Sequence, residues 1–158
     1  MRLTDQERAE ALVTITRGLD EDLRYGPDIT TVATVPEDAT ATATMVTRAT
    51  GVAAGVDVGL LVLDEVLGPD GYRVLGRVED GDRVRPGDPL LTLQAQTRGL
   101  LTAERTMLNL VCHLSGIATA TAEWVAAVDG TGARIRDTRK TLPGLRALQK
   151  YAVRVGGG

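Results

Sequence analysis

The chain has 158 residues, 43% hydrophobic and 25% charged, with a net charge of −3. That length fits one domain or two small ones, and that composition belongs to a folded chain rather than a disordered one. No apolar run nears the roughly 18–20 residues of a membrane span, the polar start Met1-Arg2-Leu3-Thr4-Asp5 predicts no secretory signal, and the single Cys112 and single His113 exclude a disulfide framework and a zinc site of the usual kind.

Those features point to a reducing, cytoplasmic setting. The charge is unevenly spread. Residues 1–97 hold nine arginines and seventeen acids, whereas residues 98–158 hold nine basic residues and four acids. The balance argues against nucleic-acid binding by the whole chain, and the last third offers either a local anion site or plain helix-surface charge.

Thr4-Asp5-Gln6-Glu7 reads as a capping box opening a helix over 5–23, with Leu12, Val13, Ile15, Thr16 and Leu19 inward. Tyr25-Gly26-Pro27-Asp28 ends it. Alternating small and apolar residues over 39–48 predict a strand, and the apolar residues of 56–67 a helix stopped by Gly68-Pro69-Asp70-Gly71. A strand over 72–78, a hairpin-type turn at Glu79-Asp80-Gly81-Asp82, and a strand over 90–96 follow. Thr102 is the expected cap of a helix that Ser115-Gly116 breaks, with a second helix over 117–128. Ala133–Arg136 reads as a strand, Asp137–Thr141 as a polar loop, and Pro143 as the start of a helix to about Arg154, capped by Gly156-Gly157-Gly158.

The pattern divides into an α+β unit over 1–101 and a unit over 102–158 that ends in strand, loop and helix. That ending is one βα step of a parallel system, which usually needs about 200 residues to close a barrel. The chain therefore reads as a small domain followed by the start of an incomplete barrel, with Ile135, Leu145 and Leu148 left exposed.

The loop Asp137-Thr138-Arg139-Lys140-Thr141 carries the chemistry. An Arg fork beside a Lys point charge, flanked by hydroxyls after a strand, suits phosphate or carboxylate oxygens. A solvated loop with a charged tip accounts for the same spacing. Arg105, expected in a helix's first turn, would form an anion-binding corner with the free N–H groups there, or a surface ion pair. A biotinyl or lipoyl carrier reading of Gly81–Asp88 fails because no lysine precedes Lys140. Cys112 and His113 read as core or interface residues.

Four blocks in order, Glu104-Arg105-Thr106-Met107-Leu108-Asn109, Leu114-Ser115-Gly116-Ile117-Ala118-Thr119, Asp137 through Arg146, and Lys150-Tyr151-Ala152-Val153-Arg154-Val155-Gly156-Gly157-Gly158, together resemble the quinolinate phosphoribosyltransferases. Leu19–Leu23 and Gly26–Thr31 are similar to the same family. The resemblance implies an N-terminal α/β hammerhead-like sandwich domain, followed by the first βα step of a type II phosphoribosyltransferase α/β barrel. It implies a pentosyl transfer: quinolinate and phosphoribosyl pyrophosphate give nicotinate mononucleotide, pyrophosphate and carbon dioxide, with Mg2+, in NAD biosynthesis. It implies that Arg105, Thr138, Arg139 and Lys140 bind substrate, that Lys140 is catalytic, and that Arg105 serves the site of a neighbouring subunit in a homodimer. The family's Asn-His-Arg segment, further lysine and acidic metal-handling residues have no counterpart here, so a chain of this extent is expected to be inactive alone. A related pyrophosphorylase with another heterocyclic substrate, or a non-enzymatic assembly module, are the alternatives.

Overall fold

The computed structural model describes residues 1–158. Its elements run α1 (Asp5–Asp22), α2 (Ile29–Thr34), β1 (Thr40–Val46), β2 (Gly51–Val52), α3 (Val56–Leu67), β3 (Tyr72–Arg77), β4 (Arg83–Val84), β5 (Pro89–Gln96), α4 (Thr97–Ala127) and α5 (Arg146–Val155). The capping box at α1 forms as its sequence dictates: Glu7 N–H donates to Thr4 Oγ1 at 3.2 Å, and Thr4 N–H to Glu7 Oε2 at 2.9 Å. The buried side is the i, i+4 row Glu7, Ala11 and Ile15, with Leu12 and Leu19 at its margin. Val13 and Thr16, expected inside, face solvent because they lie off that row. The stop signal at Pro27-Asp28 also starts a helix, α2, for Asp28 Oδ1 accepts from Thr30 N–H and Thr31 N–H at 3.1 Å each.

β1, β5 and β3 form an antiparallel sheet with β5 in the middle, and β2 pairs with β4 in a separate short ladder. On β1, Ala41, Ala43 and Met45 turn inward and the threonines outward. On β5, Leu91, Leu93 and Ala95 are buried. The turn expected at Glu79–Asp82 is not a simple hairpin. It joins β3 to β4, whose partner is β2, and it buries Asp80.

The expected break at Ser115-Gly116 does not occur: α4 is one helix of 31 residues. Ser115 spends its hydroxyl sideways, donating to Ala54 O and accepting from Ala54 N–H, both at 3.0 Å, while Thr119 Oγ1 accepts from Val52 N–H at 2.9 Å. Thr102 is not the cap either. Gln96 caps the helix through Gly99 N–H at 2.8 Å, and the Thr102 hydroxyl donates back to Arg98 O. Continuity makes α4 long and apolar enough, by length and composition, to cross a membrane. Here its Met107, Val111, Leu114 and Ala118 are buried and the helix packs on α3 and α5.

Residues 133–136 form no strand. A ladder needs a hydrogen-bonded neighbour, and no strand lies alongside to supply one. The helix of the expected βα step is present as α5, opening at Arg146 after a turn closed by Leu145 N–H to Leu142 O at 3.1 Å. One hydrophobic core runs through both parts of the chain, joining Ile15, Leu63, Leu91, Leu114, Leu148 and Tyr151. Leu148, expected exposed, is 1% exposed, and Ile135 and Leu145 are half-buried, because α5 lies flat against α4 and α1. Gly156 makes that approach possible: a Cβ there would run into the Ala118 carbonyl oxygen of α4.

Candidate active site

The segment that the sequence marks for chemistry is an exposed loop held from one side by α5. Lys150 Nζ donates to Asp137 Oδ1 at 2.9 Å, Arg146 Nε to Thr141 Oγ1 at 3.1 Å, and Leu142 N–H to Gln149 Oε1 at 3.1 Å. Those three α5 residues lie three and four positions apart, one face of a helix. Within the loop, Lys140 N–H donates to Thr138 Oγ1 at 3.1 Å, a hydroxyl-closed turn that sets the tip. Thr138, Arg139 and Lys140 are exposed, and neither cation has an acidic partner, whereas Lys150 and Arg154 on α5 do. Arg134, Arg136 and Arg146 stand in the same stretch, whose one acid, Asp137, is engaged by Lys150. The tip therefore presents uncompensated positive charge, which attracts anions.

Arg105 is elsewhere. With the helix starting at Thr97, it sits in the third turn of α4, so the corner of free N–H groups expected around it does not form. Its Nε pairs with Asp22 Oδ1 at 2.8 Å and its side chain stays 73% exposed. A pair so exposed is worth about 0–1 kcal/mol, a weak hold on the guanidinium. Beside it, Leu101, Glu104, Leu108 and Cys112 line one wall of an apolar groove of about 1050 Å3 between α4 and the sheet, with Met45 and Leu91 opposite. Cys112, read as a core or interface residue, is exposed there. The structure thus unites three of the four expected residues and leaves Arg105 outside the loop's contacts.

Sequence reasoning missed how α5 is held. Tyr151 O–H donates to Asp80 Oδ2 at 2.6 Å, deep in the core, and Asp80 also accepts from Gly55 N–H at 2.8 Å and Val56 N–H at 2.9 Å. Burial pushes the Asp80 carboxyl above its ordinary range, against the pull of those donors. Burial and then the Asp80 hydrogen bond push the Tyr151 phenol up. The missing signal was in α3: Gly55, in the left-handed region at φ 86°, offers no capping side chain, so the helix's first N–H groups needed an acceptor from elsewhere. A second brace is the Arg154 fork on Glu7, at 2.8 and 2.9 Å. That hydrogen bonding is the main cause holding the Glu7 carboxyl below its ordinary value.

No three His, Cys, Asp or Glu side chains come close enough to hold a metal ion.

The architecture and the loop match a known class. The N-terminal domain family of quinolinate phosphoribosyl transferase matches residues 28–115, and the C-terminal domain family matches 117–158. The chain belongs to the quinolinate phosphoribosyl transferase family. It is 72% identical over 156 residues to the carboxylating nicotinate-nucleotide pyrophosphorylase of Mycobacterium leprae, covering 99% of this chain and 55% of that protein. It is 37% identical over 140 residues to a mitochondrial decarboxylating quinolinate phosphoribosyltransferase of Nicotiana tabacum, covering 89% of this chain and 39% of that one. Among solved structures, NadC from Streptococcus pyogenes superposes with a TM-score of 0.89 at 37% identity, over 100% of this chain and 54% of that chain. The nicotinate-nucleotide pyrophosphorylase from Francisella tularensis gives 0.87 at 34% identity, over 99% and 53%. The chain spans about half the length of the relatives it matches.

Proposed function

We propose that the protein carrying this chain transfers phosphoribose from phosphoribosyl pyrophosphate to quinolinate, with loss of carbon dioxide, giving nicotinate mononucleotide. The observation that carries the reading is the unpaired Arg139–Lys140 tip on a loop fixed to α5. A dicarboxylate meeting a polyphosphate ester brings strong negative charge to one place, and fixed cations are what hold it there. Arg139 offers a planar fork to one carboxylate, Lys140 a point charge, and Thr138 a hydroxyl toward the phosphoribosyl side. The ring nitrogen forms a bond to the ribose C1 as the bond from C1 to pyrophosphate oxygen breaks, and positive groups at the leaving oxygens stabilise the charge growing there. The second carbon–carboxylate bond then breaks to release carbon dioxide, its electron pair staying on the ring carbon beside the pyridinium nitrogen, and that carbon takes a proton from water to give the product.

In this reading a second copy packs over the apolar groove beside Arg105, where Leu101 and Cys112 are exposed. Arg105 would then leave Asp22 for the substrate of the neighbouring subunit. Any magnesium ion would be held by residues beyond this chain. A cytoplasmic enzyme with units over 1–101 and 102–158 sharing α4 completes the reading.

The test is a turnover assay on the protein extended to the full length of its relatives. Quinolinate with phosphoribosyl pyrophosphate should give nicotinate mononucleotide and carbon dioxide. Turnover of nicotinate but not quinolinate would replace this reading with the related-pyrophosphorylase one, and no transfer to any pyridine carboxylate would leave a binding module.

A further inference from the structure

We infer that His113 and Gln149 form a latch that positions the anion-binding loop from helix α4, with His113 acting as a hydrogen-bond acceptor through Nε2. The two residues lie 36 positions apart in sequence, on α4 and α5, and Gln149 Nε2 stands 2.9 Å from His113 Nε2. The chemistry of the third member fixes the direction of both bonds. Leu142 N–H can only donate, so the atom facing it at 3.1 Å is the Gln149 oxygen. That leaves the Gln149 NH2 group, a donor only, facing the imidazole. His113 Nε2 must therefore carry the lone pair, and its ring proton sits on Nδ1.

The relay ends one residue past the Asp137–Thr141 loop. The other anchors run from Lys150 to Asp137 and from Arg146 to Thr141 and, at 3.5 Å, to the Arg139 carbonyl oxygen; Lys150 and Thr141 are half-buried, Arg146 and Asp137 exposed. The Gln149 anchor differs, because it accepts from a backbone N–H at 3.1 Å while itself being gripped by a half-buried ring on the longest helix of the molecule. A side-chain amide with two partners is held in one rotamer, whereas with one partner it is free to turn. His113 is thus a positioning residue: it touches no substrate and acts through Gln149 on Leu142, and so on the exit of the Thr138–Arg139–Lys140 tip. The link to catalysis rests on the reading of that tip as the anion site.

Two measurements separate the latch from the site. The first is hydrogen exchange of the segment 137–142 in the full-length protein without substrate, compared among wild type, His113→Leu and His113→Gln. Loss of one hydrogen bond corresponds to about fivefold to tenfold faster exchange. His113→Leu should show that increase at Leu142. His113→Gln places an amide oxygen near where Nε2 stood and should restore the slow rate. The second is quinolinate titration of the same proteins, with the affinity of His113→Leu reduced by a similar factor and that of His113→Gln restored. Unchanged exchange in His113→Leu overturns the latch. Faster exchange that His113→Gln fails to correct also overturns it, because the ring then serves only as packing. The expected exchange pattern with unchanged quinolinate affinity keeps the latch and rejects its link to the site. Lys140→Ala serves as the control for the site itself: if that variant binds quinolinate normally, the reading of the tip fails while the exchange result stands.

Discussion

Two stretches that meet at α5 are built on opposite plans. From Asp129 to Thr141 nearly every side chain is exposed and the backbone forms no helix or strand. From Arg146 onward, α5 buries Leu148, Tyr151, Ala152 and Val155 and is braced to the N-terminal body by Tyr151 on Asp80 and Arg154 on Glu7. The two stretches divide the labour. The charge that the proposed reading gives to an anion is left unpaired on a loop, and the rigidity beside it lies in pairs whose members are satisfied. Loop cations over a rigid support give precision without neutralising the charge.

The largest effects should come from the exposed stretch and fall on function alone. Lys140→Ala in the full-length protein should lower kcat/KM by about 2–5 kcal/mol of lost interaction, counting the anion left unpaired. Its thermal stability should stay within about 0.5 kcal/mol of wild type, as for surface changes generally. Arg139→Lys should also weaken quinolinate binding, since a point charge cannot replace a fork. Steady-state kinetics beside thermal unfolding checks both, and a Lys140→Ala protein that turns over normally would show that the loop charge plays no part in turnover.

The braced stretch should behave in the reverse way. Asp80→Ala strands the Gly55 and Val56 N–H groups in the core and leaves the Tyr151 hydroxyl only the Met1 carbonyl oxygen as acceptor, a cost of about 3 kcal/mol. Denaturant unfolding should show that loss, and an unchanged midpoint would mean that α5 is held by packing alone. The smallest effect belongs to Glu7. Its carboxyl is held below the ordinary value by Arg154, so the stabilisation is complete above the ordinary glutamate value of 4.5 and disappears as pH falls through the lower folded value. Glu7→Gln should therefore cost about 1 kcal/mol near neutrality, modest because Arg154 is partly solvated, and the gap to wild type should close in acid. A gap independent of pH would assign the brace to shape rather than charge.

How much of this the sequence disclosed follows the same division. Thr4 and Glu7 announce their helix because the capping box is local, and the Thr/Ala alternation of β1 shows because one face is buried. The loop with Thr138, Arg139 and Lys140 was visible because charge needs no fold to be read. Where partners are distant the signal fails. Ser115 looks like a break until Ala54 lies beside it, and Ala133–Arg136 looks like a strand although nothing pairs with it. Asp80 looks like a turn residue until α3 proves to lack its own cap. Arg105 was placed in the wrong turn of its helix because Gln96, not Thr102, begins it; the proposed reading takes it by a route across a subunit boundary into a neighbouring chain's site.

That route is tested most directly by subunit complementation. Arg105→Ala and Lys140→Ala full-length proteins are unfolded, mixed in equal amounts, refolded and assayed for turnover. If the site joins Arg105 of one chain to the loop of the other, each variant alone is nearly inactive. A mixed dimer then collects both defects in one site and leaves the other intact, so random pairing restores about a quarter of wild-type activity. Turnover no higher than that of the separate variants, with mixed dimers demonstrated in the sample, would contradict the account.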